Sequence, residues 1–351
     1  MRPLPLLAAL LALAVAAPAA ANDGFGGLSA TGLTFGRTDA VAMLEEDLSI
    51  GLDRISVDYL FRNTTAADVT GEVIFPLPPV AVWSGYEGMM NLPEDLSREN
   101  LVEFTATVDG MPVAVKIDRI AVIEEAWDEE RPPSAQYDNP GREVTADLAR
   151  LGLPLTLDVA EVRTVLLSLG PERRAEAAAL GLAEYQPADP AEGVDEEVWA
   201  TWSIVTRYHW TQTFPAGQEV RVHHDYLNLP PGGIFYWSEP SEEWQDDLRD
   251  TYCIDQGTSR AILKALERPE PEGGNYGTSL NISYVLRTAN SWAVPIGKFR
   301  LTLDKGAAEN VISLCAEGVK KTGPTTFVFE KTDFTPERDL EVLVVMPLDD
   351  G

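Results

Sequence analysis

The feature that most constrains the fold of this chain is the alternation of apolar and polar side chains along several segments. Residues 55–63 and 69–75 follow a period of two, which is typical of half-buried β-strands. The five residues between them, 64–68, have the length of a longer hairpin connection. Residues 104–117 predict another hairpin that turns at Asp109-Gly110, because this dipeptide favours tight hairpin turns.

The later part of the chain shows a similar strand pair. Residues 202–214 and 220–226 alternate in the same way across the five-residue connection 215–219. Pairing apolar with apolar side chains across that connection places His209 directly opposite Asp225. The sequence therefore predicts a long hairpin here, with both polar residues on its solvated face.

Helical stretches separate these two β-rich parts. Residues 144–153, 159–169 and 171–180 are predicted as helices, with a stop-and-start signal at Gly170-Pro171. A linker rich in Pro, Asp and Glu follows at 186–197. Beyond it, a short helix is predicted at 258–267 and strands are predicted at 279–287, 298–304, 311–315, 325–330 and 340–347.

Together these patterns predict a mainly β fold with a helical insertion, built as two antiparallel β-sandwich units. The predicted division is a signal peptide at 1–21, an N-terminal β-sandwich unit at 22–122, a helical insertion and linker at 123–198, and a C-terminal β-sandwich unit with a short helix at 199–351. Both strand pairs lead into Leu-Pro-Pro, at 77–79 and at 229–231. Distant duplication and coincidence both explain this shared outline.

The first 21 residues predict a secretory signal peptide. Arg2 precedes an apolar run of about 14 residues, and the small residues Ala19 and Ala21 favour cleavage after Ala21. This run is short for a helix that crosses a bilayer core of about 30 Å, although an uncut N-terminal anchor is the alternative. No later segment is long and apolar enough to cross a membrane. We therefore expect a periplasmic or secreted protein with no transmembrane segment in the mature chain.

The chain is strongly acidic. Its formal charge is −29, and removal of the predicted signal peptide with its single cation, Arg2, makes it −30. Such a charge excludes nucleic acid and anionic membrane surfaces as partners, because both would be repelled. Bound cations, basic partners, a salt-adapted host and a solvated acidic surface all remain compatible with it.

The two cysteines, Cys253 and Cys315, predict a structural disulfide. An exported protein meets an oxidising compartment, and two is the smallest number that can pair. A loop of this size is worth roughly 4 kcal/mol in the chain-entropy model. Two buried free thiols or a reactive pair are the alternatives, but no CxxC motif supports a redox role.

His209 and Asp225 are the catalytic candidates. A carboxylate beside an imidazole is half of an acid–base or nucleophilic constellation, yet no GxSxG nucleophile motif occurs. A cross-strand ion pair on a solvated face is the structural alternative. His223 shares their predicted face, so a surface zinc site is conceivable, but His223 and His224 point to opposite faces. We predict no metal and no other cofactor.

An aromatic loop at residues 230–240 is the predicted binding surface. Aromatic side chains in Gly- and Pro-rich loops often recognise sugars or peptides, although rings that fold back onto the core are the alternative. The predicted binding residues are Phe235, Tyr236, Trp237 and Trp244.

Carboxylates cluster in two places. Paired carboxylates catalyse glycoside hydrolysis, but whether a given pair can do so depends on the distance between the two groups in the folded protein. In the second cluster, Ser241 has the position of a helix N-cap with acidic residues in the first turn. The clusters comprise Glu124, Glu125, Asp128, Glu129 and Glu130, and Glu242, Glu243, Asp246 and Asp247.

Several motifs together resemble the exported bacterial proteins grouped as domain of unknown function 4424. The resemblance covers about residues 22–347 and implies an exported bacterial protein of about this length, with no established activity to carry over. Residues 55–85 also resemble, more weakly, the β-sandwich that precedes inter-alpha-trypsin inhibitor heavy chains. The motifs are residues 32–39, 57–63 leading into 75–78, 208–215, 297–301 with 304–306, and 331–340.

Two functions follow as hypotheses. The first is an exported, non-catalytic binding or interaction protein of the bacterial cell envelope, whose partner is an envelope protein, a peptide or a glycan. The alternative is a hydrolase that acts on an envelope or extracellular polymer. An enzyme requires a cleft in which at least two of these polar groups converge, whereas a binding protein requires only a suitable surface or pocket.

Overall fold

The computed structural model describes residues 24–29, 32–83, 92–93, 95–125, 140–191, 193–267 and 276–348. The predicted signal peptide, residues 1–21, lies outside the described residues. No helix in the described part of the chain is long and apolar enough to cross a membrane.

Strands dominate the described residues. They are β1 (Gly24–Ser29), β2 (Gly32–Phe35), β3 (Val41–Ile50), β4 (Arg54–Asn63), β5 (Val69–Pro76), β6 (Val80–Ala81), β7 (Thr105–Val108), β8 (Met111–Pro112), β9 (Lys116–Ile123), β10 (Arg142–Glu143), β11 (Ala183–Gln186), β12 (Glu197–Ala200), β13 (Ser203–Phe214), β14 (Glu219–Leu227), β15 (Gly232–Tyr236), β16 (Tyr276–Tyr284), β17 (Ile296–Asp304), β18 (Val311–Leu314), β19 (Lys320–Lys321), β20 (Thr326–Phe334) and β21 (Leu340–Pro347). The helices are α1 (Thr145–Leu151), α2 (Val159–Ser168), α3 (Pro171–Ala179), α4 (Glu243–Tyr252) and α5 (Gln256–Leu266), with a 3₁₀ turn at Arg287–Ser291. The prediction of a mainly β fold with helices between the strand-rich parts is confirmed.

Two large sheets form a sandwich. Sheet A has the strand order β10-β9-β13-β5-β1-β2, with β6 also paired to β13. Sheet B has the order β19-β20-β17-β3-β4-β14-β7-β8 and contains one parallel pair, β3 with β17. Their facing sides meet through aromatic rings, such as Phe61 with Phe214 at 5.7 Å between centroids and Phe75 with His224 at 5.0 Å.

Strands from the two predicted units, 22–122 and 199–351, pair with each other in both sheets. In sheet B, β4 lies beside β14 over its full length, from Arg54↔Leu227 to Arg62↔Glu219. In sheet A, β5 lies beside β13. The early and late parts of the chain therefore build one pair of sheets together.

The two predicted long hairpins are wrong, and the chain forms crossings between the sheets instead. β4 belongs to sheet B and β5 to sheet A, while β13 belongs to sheet A and β14 to sheet B. The two five-residue connections lie together at one end of the sandwich. The fully buried Asn63 holds them there, because its Nδ2 donates to the carbonyl oxygens of Ala67 and Phe214, each at 2.8 Å. The turn at Asp109-Gly110 does join a hairpin, β7 with β8, and both residues have positive φ.

The helices between the two strand-rich parts pack onto the sandwich core. Leu148 of α1, Val162 and Leu166 of α2 and Ala177 of α3 are buried in the same apolar cluster as the sheet residues. Asp158 caps α2 by accepting from the backbone N–H of Glu161, as a short polar side chain at an N-cap does.

A third sheet, sheet C, has the order β15-β16-β21-β18 and carries two helices on one face. Trp237, Tyr252 and Ile262 pack there against Leu343 and Val345 of β21 in a separate apolar cluster. The opposite face, with Ile282 and Val342, joins the main core. Sheet C therefore lies between the sandwich and helices α4 and α5.

The predicted disulfide is confirmed. Cys253, the C-cap of α4, is bonded to Cys315, which follows β18, and their Cα atoms are 5.0 Å apart. The bond ties the end of α4 to the edge strand of sheet C, and it closes a loop of 62 residues in sequence separation.

Candidate functional site

The crossing geometry brings the two Leu-Pro-Pro segments together. β5 and β14 both lead away from the crossings, one in sheet A and the other in sheet B. Residues 77–79 therefore leave sheet A at the same end of the sandwich at which residues 229–231 leave sheet B. Both segments line one cavity at that end, with a volume of about 270 Å³.

The walls of this cavity, the end cavity, are mostly apolar. Phe75 and Tyr226, the last inward-facing residues of β5 and β14, form its inner side, and Leu101 and Val102 line it as well. The proline rings on both sides lack a backbone N–H and have a fixed φ, so they make a rigid wall with few donors. Apolar, largely preformed cavities with a few polar groups are typical of ligand sites.

One side of the end cavity is a strand edge. β15 covers β16 only as far as Gly232↔Leu280, whereas β21 continues along the other side to Tyr284. The backbone N–H of Asn281 donates to the carbonyl of Pro231 at 2.9 Å, on the β15 side. Backbone groups two residues apart in a strand point the same way, so the N–H and C=O of Ser283 also point away from β21.

The side chain of Ser283 lies beside a largely buried carboxyl group. Its Oγ donates to Oε1 of Glu341 at 2.8 Å. Burial raises the pKa of Glu341 to about 7, and the charge of Asp339 adds to this increase, while the hydrogen bond from Ser283 opposes it. Glu341 therefore changes its charge near neutral pH, one side chain away from the cavity wall.

We expect Glu341 to make stability fall as the pH rises. The folded state binds the proton more tightly than the unfolded chain, so its contribution is complete below pH 4.5 and is lost as the pH rises through 7, a loss of about 3 kcal/mol. The difference in stability between the wild type and Glu341→Gln, measured by urea unfolding at pH 4.5, 6 and 8, should change in favour of the variant as the pH rises, because all other titrating groups contribute equally to both proteins. The exposed Glu337→Gln is the control; a difference between wild type and Glu341→Gln that stays constant from pH 4.5 to pH 8 would contradict the prediction.

His224 lies behind the inner side of the end cavity. It is fully buried and its ring contacts those of Phe75, Phe104 and Tyr59, with centroid distances of 5.0, 5.3 and 5.5 Å. Burial lowers its pKa to about 3, with a smaller contribution from the neighbouring His223. The ring is therefore neutral across the physiological range and belongs to the core, as its apolar sequence neighbours indicate.

The predicted juxtaposition of His209 and Asp225 is wrong, because β13 and β14 lie in different sheets. His209 pairs in register with Ile74 and Lys116, and Asp225 pairs with Ser56 and Thr105. The register argument holds only for strands of one sheet, and the crossing removes that condition.

Each candidate instead has a carboxylate or guanidinium partner of its own. His209 Nδ1 lies 2.8 Å from Oε2 of Glu72, whose other oxygen accepts from Thr211. Burial opposes ionisation of Glu72, but the hydrogen bonds from His209 and Thr211 outweigh it and its pKa is lowered. Asp225 forms an ion pair with Arg54 at the partly exposed surface of sheet B.

The structure also separates the residues of the conceivable surface zinc site. His209 lies in sheet A, whereas His223 and Asp225 lie in sheet B, where His223 contacts Asp58 at 3.0 Å. Within the described ranges, no group of three or more His, Cys, Asp or Glu residues is arranged to hold a metal ion.

The comparisons with known proteins bear on the whole chain. A family model described as "Domain of unknown function (DUF4424)" matches residues 21–343. The chain belongs to this family. The predicted resemblance to it is thereby confirmed, and the weaker likeness to the sandwich that precedes inter-alpha-trypsin inhibitor heavy chains stays a prediction. A search of curated proteins found no match.

A solved structure also resembles this DUF4424 chain. It is described as a "putative nutrient binding protein" from Legionella pneumophila subsp. pneumophila str. Philadelphia 1. The two share 14% sequence identity, the match covers 93% of this chain and 71% of that chain, and the TM-score is 0.40. A likeness at this level supports no inference about the site.

In this DUF4424 chain, the four aromatic residues of the predicted binding surface fall into two pairs. Phe235 and Trp237 are buried in the cluster between sheet C and the helices, with their rings 6.1 Å apart. Tyr236 and Trp244 are 40% and 50% exposed. Only the second pair is available to a partner, and a binding role for these residues stays a prediction.

Several residues of the acidic clusters have structural partners. Glu124 accepts a hydrogen bond from Ser203, and Asp128, Glu129 and Glu130 lie outside the described residues. In the second cluster, the N-cap of α4 is Glu242 and not Ser241: Glu242 and Gln245 form a capping box. Ser241 donates instead to Asp246 at 2.9 Å.

The end cavity was missed from the sequence of this DUF4424 chain, although its signal was visible. The two Leu-Pro-Pro segments stood out as a shared outline of the two strand pairs, and the prolines indicated where both strands end. The sequence pattern did not show that each strand pair crosses from one sheet to the other. That crossing is what brings the two Leu-Pro-Pro segments together.

Proposed function

We propose that this chain is an exported, non-catalytic binding protein of the bacterial cell envelope, and that the end cavity holds an apolar group of its ligand. The observation that carries the proposal is the convergence of residues 77–79 and 229–231 on one apolar cavity of about 270 Å³. An empty cavity of 150 Å³ can already take a benzene-sized molecule, so this one has room for a larger group.

The surroundings of the cavity support binding over catalysis. The polar side chains that line it are two amides, one serine and two tyrosines: Asn228, Asn281, Ser283, Tyr226 and Tyr284. His209 and Asp225, the candidates for hydrolysis, are not among its lining residues. A hydrolase requires a general acid or base within reach of the bound substrate. No histidine or carboxylate is among the described residues that line the cavity, and the carboxyl group of Glu341 lies behind Ser283, from which it accepts a hydrogen bond.

Export is part of the proposal. The disulfide between Cys253 and Cys315 supports it, because such bonds persist in oxidising compartments. The sequence pattern of residues 1–21, with cleavage near Ala21, supports a periplasmic or secreted mature chain. Edman sequencing of the protein recovered from the periplasm or the medium should then begin at Asn22.

A cavity-filling variant tests the binding site. Leu229 lines the end cavity, so Leu229→Trp should occupy the space in which an apolar probe binds. We expect the fluorescence titration of N-phenyl-1-naphthylamine to show at least a tenfold weaker Kd, which corresponds to about 1.4 kcal/mol. Val294→Trp, at a half-exposed position outside the cavity, is the matched control. Equal binding by wild type and Leu229→Trp would overturn the proposal.

A further inference from the structure

We infer that the end cavity takes the apolar side chain of an extended peptide, whose backbone pairs with the open edge of β16 at Ser283. The inference rests on the proposed function and names the ligand class of the same cavity. Peptides that add a strand to a sheet edge gain affinity from main-chain hydrogen bonds and specificity from pockets for their side chains. Both elements meet at this end of the sandwich.

The first element is the backbone of Ser283. Its N–H and C=O point away from β21, toward the side on which β15 has already ended. In the described ranges of the chain, neither group has a hydrogen-bond partner. The register of β15 would place Leu229 opposite Ser283, but no backbone hydrogen bond joins these two residues.

The second element is the position of that edge on the cavity wall. Asn281, Ser283 and Val285 line the cavity together with the two Leu-Pro-Pro segments. A ligand that fills the cavity therefore removes water from the Ser283 backbone. A purely apolar ligand would leave a donor and an acceptor without partners, which opposes binding. A peptide residue supplies one acceptor and one donor at strand spacing and so satisfies both.

The ligand class follows from this pairing. A residue that exchanges both hydrogen bonds with Ser283 must be part of an extended chain, because the donor and acceptor of a hydrogen-bonded pair in a sheet come from one residue. Its neighbour side chains point to alternate sides, so one apolar side chain can enter the cavity while the next remains outside. The Leu-Pro-Pro walls have few N–H donors, so the peptide backbone forms its hydrogen bonds with β16.

A depsipeptide series tests the inference on the unmodified protein. The probe is acetyl-Ala-Leu-Ala-N-methylamide, and the analogues replace one N–H at a time with an ester oxygen. We expect NMR titration of the ¹⁵N-labelled chain to show that one ester position weakens Kd at least tenfold. The Ser283 amide should also exchange with deuterium at least tenfold more slowly when the peptide is bound. No binding of the peptide, or equal binding of every ester, would overturn the inference.

Two variants add a test from the protein side. Ser283→Pro removes the backbone donor, whereas Val294→Trp lies outside the cavity and leaves this donor in place. We expect Val294→Trp to retain the peptide affinity and Ser283→Pro to lose at least tenfold; equal affinities would overturn the inference. If Ser283→Pro fails to fold, the ester series on the wild type decides. The two proposals can fail separately. If Leu229→Trp loses naphthylamine binding but all ester analogues bind equally, the proposed function is retained and only the peptide is rejected as the ligand.

Discussion

Replacing both Cys253 and Cys315 with serine is expected to lower the free energy of unfolding by about 4 kcal/mol, the value that the chain-entropy model gives for a loop of this size. The bond closes a separation of 62 residues and joins the end of α4 to the edge of sheet C. Without it, the unfolded chain gains conformational freedom that folding must then remove. Guanidinium unfolding followed by circular dichroism measures the difference.

Chemical reduction provides the control for this prediction. A phosphine reductant should destabilise the wild type by a similar amount and leave the double serine variant unchanged, because only the wild type has a bond to lose. A wild type whose unfolding midpoint is the same with and without reductant would contradict the prediction.

Acidification should destabilise the protein through His224. The ordinary pKa of histidine is 6.5 and that of the buried ring is about 3, so the unfolded chain binds a proton that the folded state does not. Its stabilising contribution is complete above pH 6.5 and is lost as the pH falls toward 3, at about 1.4 kcal/mol per pH unit. The total over this range is about 4 to 5 kcal/mol.

The variant His224→Phe isolates this contribution, because phenylalanine keeps an aromatic ring among Tyr59, Phe75 and Phe104 and cannot take a proton. We expect the difference in stability between wild type and variant to shift by about 2.7 kcal/mol in favour of the variant from pH 6.5 to pH 4.5. His223→Asn is the matched control, since His223 is partly exposed and its loss leaves the buried ring in place. A constant difference across this pH range would contradict the prediction.

Local patterns predicted the elements well, and the reason is physical. Alternation along 55–63 and 202–214 reports burial of one strand face, which holds whichever strand lies alongside. The helix at Pro171–Ala179 begins with a proline at its first positions, a signal that needs no tertiary information. The disulfide was predictable because the chain has only two cysteines.

Partners across the molecule were not predictable from the same patterns. A connection of five residues is compatible with a hairpin and with a crossing between sheets, and the choice here depends on contacts such as that of Asn63 with Phe214, 151 residues away. The pairing of His209 with Asp225 failed for this reason. The end cavity could not be predicted either, because its two walls come from opposite sheets.

The aromatic residues show an intermediate case. Phe235 and Trp237 stand two positions apart at the end of β15, with Tyr236 between them. A period-two interpretation of this segment would have assigned the first two to the core and the third to the surface. Treating residues 230–240 as an irregular loop concealed that division.

The exchange of strands between early and late parts of the chain has a consequence for the order in which the protein can acquire its structure. β4 and β5 are complete once residue 76 has been synthesised, but their neighbours β14 and β13 follow well over a hundred residues later. Until then both strands have unpaired backbone edges, and long-range pairing of this kind makes folding slow. A chain that closes its sheets only after most of its length is available stays unfolded during that interval, as the proposed export would require, and it needs protection from aggregation.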